Sequence, residues 1–150
     1  MPTARLILCE KTSRWAVALR RALGPRQHVL SQTRSLTECS RELASSPASL
    51  VAVECTAANL DQVLVAIGEW SRRYPHARMA VVVDSPLEPA EAMLREAGAV
   101  CVLLSLRQAP TLSRLARRHL ARAPQSELPL RESILERLPW ARWASSSRSA

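Results

Sequence analysis

The chain has 150 residues, a formal net charge of +8 and 47% hydrophobic residues. That is enough for one domain with its own core, and too apolar for a disordered chain. No run approaches the roughly 18 apolar residues of a membrane-spanning helix, and no charged segment followed by a long apolar one opens the chain, so neither spanning nor secretion is expected.

Arg5-Leu6-Ile7-Leu8-Cys9 is a short apolar run closed by Glu10 and predicts a buried strand. A helical pattern follows from about Ser13 to Leu23, with Trp15, Ala16, Leu19, Ala22 and Leu23 on one face and Gly24-Pro25 as its stop. His28 to Ser31 predicts a second strand, at an edge. Ser35 with Glu38 three residues on reads as a capping box, opening a helix that carries Leu36, Cys39 and Leu43 inward. Ser49 to Val53 is the clearest strand, closed by Glu54. Asn59 with Gln62 predicts another cap, ahead of a helix striped with Leu60, Val63, Leu64, Ile67 and Trp70 and ended by Pro75.

Met79 to Val83 is a fourth apolar strand, ending at Asp84, and Ser85-Pro86-Leu87-Glu88 caps a short helix that stops at Gly98. Val100 to Leu104 is the fifth strand, and Pro110 suits the first turn of a last helix that ends before Pro124. Five continuous apolar strands alternating with helices predict a doubly wound α/β domain: a parallel sheet covered on both faces. Residues 1–123 form this domain, and residues 124–150 form an extension with a short amphipathic helix, Leu130 to Leu138, then Trp140, Trp143 and a disordered Ser/Arg tail.

Chemistry-bearing residues are scarce. Lys11 is the only lysine, and Asp61 and Asp84 are the only aspartates. Cys9, Cys39, Cys55 and Cys101 form no C-x-x-C pair and stand near no histidine cluster, which sets aside zinc and disulfide frameworks and points to a reduced, cytoplasmic protein. His28, His76 and His119 are far apart on different elements, which argues against a metal or triad role. The three glycines form no phosphate loop. Arginine dominates the positive charge and is spread along the chain, as in a solvated basic surface; a nucleic-acid partner is the alternative reading.

The order of the five βα units across residues 4–123, the acidic residues at strand ends, and Arg95-Glu96-Ala97-Gly98-Ala99 ahead of the last strand resemble the receiver domains of two-component response regulators. The resemblance implies strand order 2-1-3-4-5, as in flavodoxin-like folds. It also implies a site where two acids after the first strand hold Mg²⁺, an Asp ending the third accepts a phosphoryl group, a Ser or Thr ends the fourth and a Lys ends the fifth. On this chain those positions fall on Cys9 and Glu10, Glu54, Asp84 and Ser105. Glu54 is one methylene too long, Asp84 adds negative charge where the phosphoryl group should sit, and Ser105 supplies no cation. The phosphoacceptor site is therefore expected to be degenerate, with no cofactor and no catalysis.

Glu10, Glu54 and Asp84 would then converge on one crevice, solvated, paired with Lys11 or an Arg, or holding a divalent cation as an enzyme or cation-binding protein would. Glu54 could also imitate a phosphorylated aspartate in part, with one negative charge against nearly two. The main expectation is a pseudo-receiver acting as a protein-protein interaction module, able to form a homodimer. Its partner surface is the arginine cluster Arg114, Arg117, Arg118 and Arg122 on the last helix, with Trp140 and Trp143.

Overall fold

The structure, a computed structural model, describes residues 3–83 and 90–124. Its elements are β1 (Leu6–Cys9), α1 (Arg14–Leu23), a 3₁₀ segment (Gly24–Val29), β2 (Leu30–Thr33), α2 (Leu36–Ser45), β3 (Leu50–Cys55), α3 (Leu60–Arg73), β4 (Arg78–Val83), α4 (Ala90–Ala97), β5 (Ala99–Leu103), a 3₁₀ turn (Leu106–Gln108) and α5 (Ala109–Arg122). All strand pairs are parallel, as the apolar strand pattern predicts, and the order is β2-β1-β3-β4-β5, as the resemblance to receiver domains implies.

Side chains alternate across the sheet because successive residues of a strand point to opposite faces. Ile7, Val51, Val53, Met79 and Val81 pack with Cys39 and Leu43 of α2, Val63, Ile67 and Trp70 of α3, and Leu94 of α4. Leu6, Leu8, Ala52, Ala80 and Val82 pack on the other face with Trp15, Leu19 and Leu23 of α1 and Leu112 and Ala116 of α5. Burial of each such Leu or Ile side chain is worth roughly 1.5–3 kcal/mol, so two apolar layers hold a sheet whose central strands carry almost no polar residue.

Several elements differ from the expectation in instructive ways. The second strand starts two residues later, because Gly24 at φ 56° and Pro25 turn the chain into a 3₁₀ segment that takes up His28 and Val29. The strand then pairs Leu30 with Leu6 and ends at Thr33, whose hydroxyl donates to the Leu8 carbonyl at 3.0 Å. At α2 the Ser35 hydroxyl accepts from the Glu38 amide as predicted, but Glu38 reaches back to the Arg34 amide, one residue beyond the expected partner. Asn59 does not cap α3; its side chain accepts from the Thr56 amide and donates to the Glu54 carbonyl. The Ser85–Glu88 cap lies outside the described residues.

Gly98 adopts φ 129°, and a Cβ there would collide with the Ser71 side chain of α3. Only glycine combines that backbone angle with so close an approach. Just after it, the register slips between Met79↔Ala99 and Ala80↔Cys101, so Val100 bulges out and is 43% exposed. An edge strand tolerates such a bulge because it has no second neighbour to keep in step.

Candidate functional site

The register Cys9↔Val53 carries Glu10 and Glu54 to the C-terminal edge of the sheet, where they line one crevice of about 270 Å³ with Cys9, Lys11, Arg34 and Asn59. Glu10 is 1% exposed, and both carboxylate oxygens are engaged. Oε2 accepts from the Trp15 amide at 3.0 Å and Oε1 from the Ala16 amide at 2.8 Å. These are the second and third residues of α1, two of the helix donors that have no intrahelical acceptor. The helix needs this outside acceptor because Ser13, at its N-cap position, makes no side-chain cap bond. The Ser13 hydroxyl accepts instead from Gln32 Nε2 at 3.2 Å and Arg34 Nη2 at 3.0 Å. Glu10 is thus a buried carboxylate that caps α1 from outside its own N-cap position.

Arg34 closes the mouth of the β1–α1 loop, donating from Nη1 to the Lys11 carbonyl at 2.7 Å as well as to Ser13. Lys11 itself is exposed. Glu54 is half-buried at the end of β3, and its carbonyl is held by Asn59 Nδ2 at 3.1 Å. Beneath them Cys9 meets Cys39 of α2. The neighbouring Cys39 side chain, with Thr33, holds Cys9 below the ordinary thiol range against the opposing effects of burial and of Glu38 and Glu54. The same contact, together with burial, pushes Cys39 far up. This thiol pair is invisible in the sequence, since 29 residues separate its members and only the packing of α2 on β1 joins them.

Ser105 is not part of this crevice's lining. It caps the 3₁₀ turn before α5: its hydroxyl accepts from the Arg107 amide at 3.2 Å, while Gln108 reaches back to the Leu104 and Ser105 amides at 2.7 and 3.3 Å. Asp84 lies outside the described residues. Among the described residues, no three His, Cys, Asp or Glu side chains gather to hold a metal ion.

The arginines of α5 do not act as one cluster. Arg117 Nη2 donates to the Ala22 carbonyl at 3.0 Å, at the C-terminal end of α1, and Arg114 leans on Thr111 at 3.5 Å. Arg118 and Arg122 instead line a cavity of about 400 Å³ at the N-terminal edge of the sheet, with His76, Arg78 and His119. Two histidines that the sequence leaves unrelated therefore meet. The available signal was topological: in a doubly wound sheet helix C-termini and strand N-termini share an edge, which puts the end of α5 beside the start of β4. Trp140 and Trp143 lie outside the described residues.

No protein-family model matches the chain, and no curated protein matches it in sequence. Solved structures do match. The orphan response regulator HP1043 of H. pylori superposes with a TM-score of 0.64 at 20% identity, over 79% of this chain and 98% of that one. The CheY-like protein TadZ of Pseudomonas aeruginosa gives 0.64 at 17%, over 82% and 98%. The chain has the receiver fold. A third neighbour, described as an atypical orphan response regulator with a phosphorylation-independent regulatory mechanism, gives 0.62 at 20% identity, over 79% and 96%. At these identities the likeness concerns the fold; what the receiver fold does here has to be argued from its residues.

Proposed function

We propose that the chain is a pseudo-receiver: a non-catalytic signalling module that regulates through protein contact, without aspartyl phosphorylation. The observation that carries this reading is the position of Glu10. An acid in the Mg²⁺-binding position of a receiver must present an oxygen to the hydrated ion, whereas Glu10 is 1% exposed and its two oxygens are turned to amides of α1. Withdrawing one would leave a helix amide unpaired, at a cost of about 1–3 kcal/mol. Glu54 in the acceptor position and Ser105 in the lysine position, bonded as a turn cap, support the same conclusion. That a receiver fold can regulate independently of phosphorylation is supported by analogy with the atypical orphan regulator.

The contact surface on this reading is the side of α4, β5 and α5. Exposed apolar Met93, Val100 and Leu104 fall on or beside these elements, Val100 in the same cavity lining as Arg118 and Arg122. Exposed apolar side chains of this kind suit either a partner protein or a second copy of the chain. The deciding experiment is incubation with acetyl phosphate and Mg²⁺, read by intact mass and by tryptophan fluorescence. No phosphoryl adduct and no metal response at millimolar Mg²⁺ are expected. A saturable response abolished by Glu54→Gln would overturn the reading.

A further inference from the structure

We propose that the cavity at the N-terminal edge of the sheet is a ligand site for a small molecule carrying two or more phosphate groups. Three guanidinium groups, Arg78, Arg118 and Arg122, and two imidazoles, His76 and His119, surround about 400 Å³, a volume within the range of small-ligand pockets. Among the described residues no carboxylate lines it, although they hold Asp61 and several glutamates elsewhere. Leu50 and Leu115 give it an apolar floor.

The cations are also arranged. Arg118 and Arg122 stand four residues apart on α5, so they share one helix face at about 5–6 Å between Cβ atoms. Like charges at that spacing repel, and a bound anion removes the repulsion. Arg78, the first residue of β4, is fixed by bonds from Nη1 to the Pro75 carbonyl at 3.1 Å and the Ala77 carbonyl at 3.0 Å, leaving Nη2 and Nε to meet a ligand. His119 is anchored by its Nε2 contact with the Ala48 carbonyl at 2.7 Å. A planar guanidinium fork matches phosphate oxygens in pairs, and ordering it beforehand reduces the entropy lost on binding. Three guanidinium charges exceed the roughly −1.5 to −2 that a single phosphate carries at neutral pH, which is the reason for a di- or triphosphate. A concave site of this size does not follow the contour of a nucleic-acid backbone. It lies at the opposite end of the strands from Glu54, so its occupancy is separate from the state of that crevice.

The test is calorimetric titration of the whole chain with inorganic pyrophosphate and tripolyphosphate at about 0.15 M salt, where long-range attraction is largely screened. One saturable site is expected. The double variant Arg118→Ser/Arg122→Ser should weaken it at least about tenfold, the loss expected from removing two charge-assisted contacts. Lys11→Ser/Arg107→Ser removes the same net charge from exposed positions at the opposite edge of the sheet and should leave affinity unchanged. Absence of saturation, or equal weakening by both double variants, overturns the proposal. So does a short duplex DNA that binds more tightly than tripolyphosphate and is weakened by the Arg118/Arg122 change, since the arginines would then belong to a nucleic-acid surface.

Discussion

At the C-terminal edge of the sheet the polar side chains are bonded to the protein's own backbone. Glu10 holds two amides of α1, Arg34 the Lys11 carbonyl, Asn59 the Glu54 carbonyl, and Ser105 the Arg107 amide. At the N-terminal edge Arg78 and His119 are also tied to carbonyls, but Arg118 and Arg122 line a cavity that, among the described residues, contains no carboxylate. The difference is one of satisfaction: polar groups whose hydrogen bonds are made internally are structural, while charges left unneutralised around a concavity are able to bind a ligand.

The comparison breaks most directly at Glu10. Glu10→Ala should destabilise the chain by about 2–4 kcal/mol in chemical unfolding, because two buried helix amides lose their acceptor. A loss under about 0.5 kcal/mol would mean the crevice is not built on this carboxylate. Ser105→Ala, which removes only an exposed cap, should cost about 0.5–1 kcal/mol in the same assay. Arg118→Ser/Arg122→Ser should change stability by no more than about 0.5 kcal/mol, since these side chains hold no other element in place. A large loss there would make the basic edge structural too and erase the contrast.

The smallest effect concerns pH. Burial pushes the Cys55 thiol, at the end of β3, up to about 11 from an ordinary value of 9.0. Above pH 9 the unfolded chain releases the Cys55 proton before the folded one does, so the folded state binds more protons and stability falls as pH rises from about 9 to about 11. Cys55→Ala should flatten that decline in pH-dependent thermal melts. A decline of equal slope in the variant would assign it to other groups.

The sequence by itself determined that the sheet is parallel and covered by two apolar layers. Continuous runs such as Leu50 to Val53 and Met79 to Val83 must be covered on both faces, and helices striped like Val63, Ile67 and Trp70 are what cover them. Those are local patterns, set by the period of a strand and of a helix. It did not determine who partners whom among the polar groups. The spacing of Glu10 from Trp15 and Ala16 carries no cap motif, because the carboxylate reaches the helix from outside its own N-cap position; Asn59 looks like a cap and instead bonds the loop behind it.

Cys9 with Cys39, and His76 with His119 and Arg118, meet only after the chain has crossed the sheet and returned. Local periodicity selects which residues are buried and on which face. The pairing of a hydrogen-bond donor with an acceptor, or of one charge with another, depends on atoms placed within about 3 Å by distant segments, and that is decided by the tertiary structure alone.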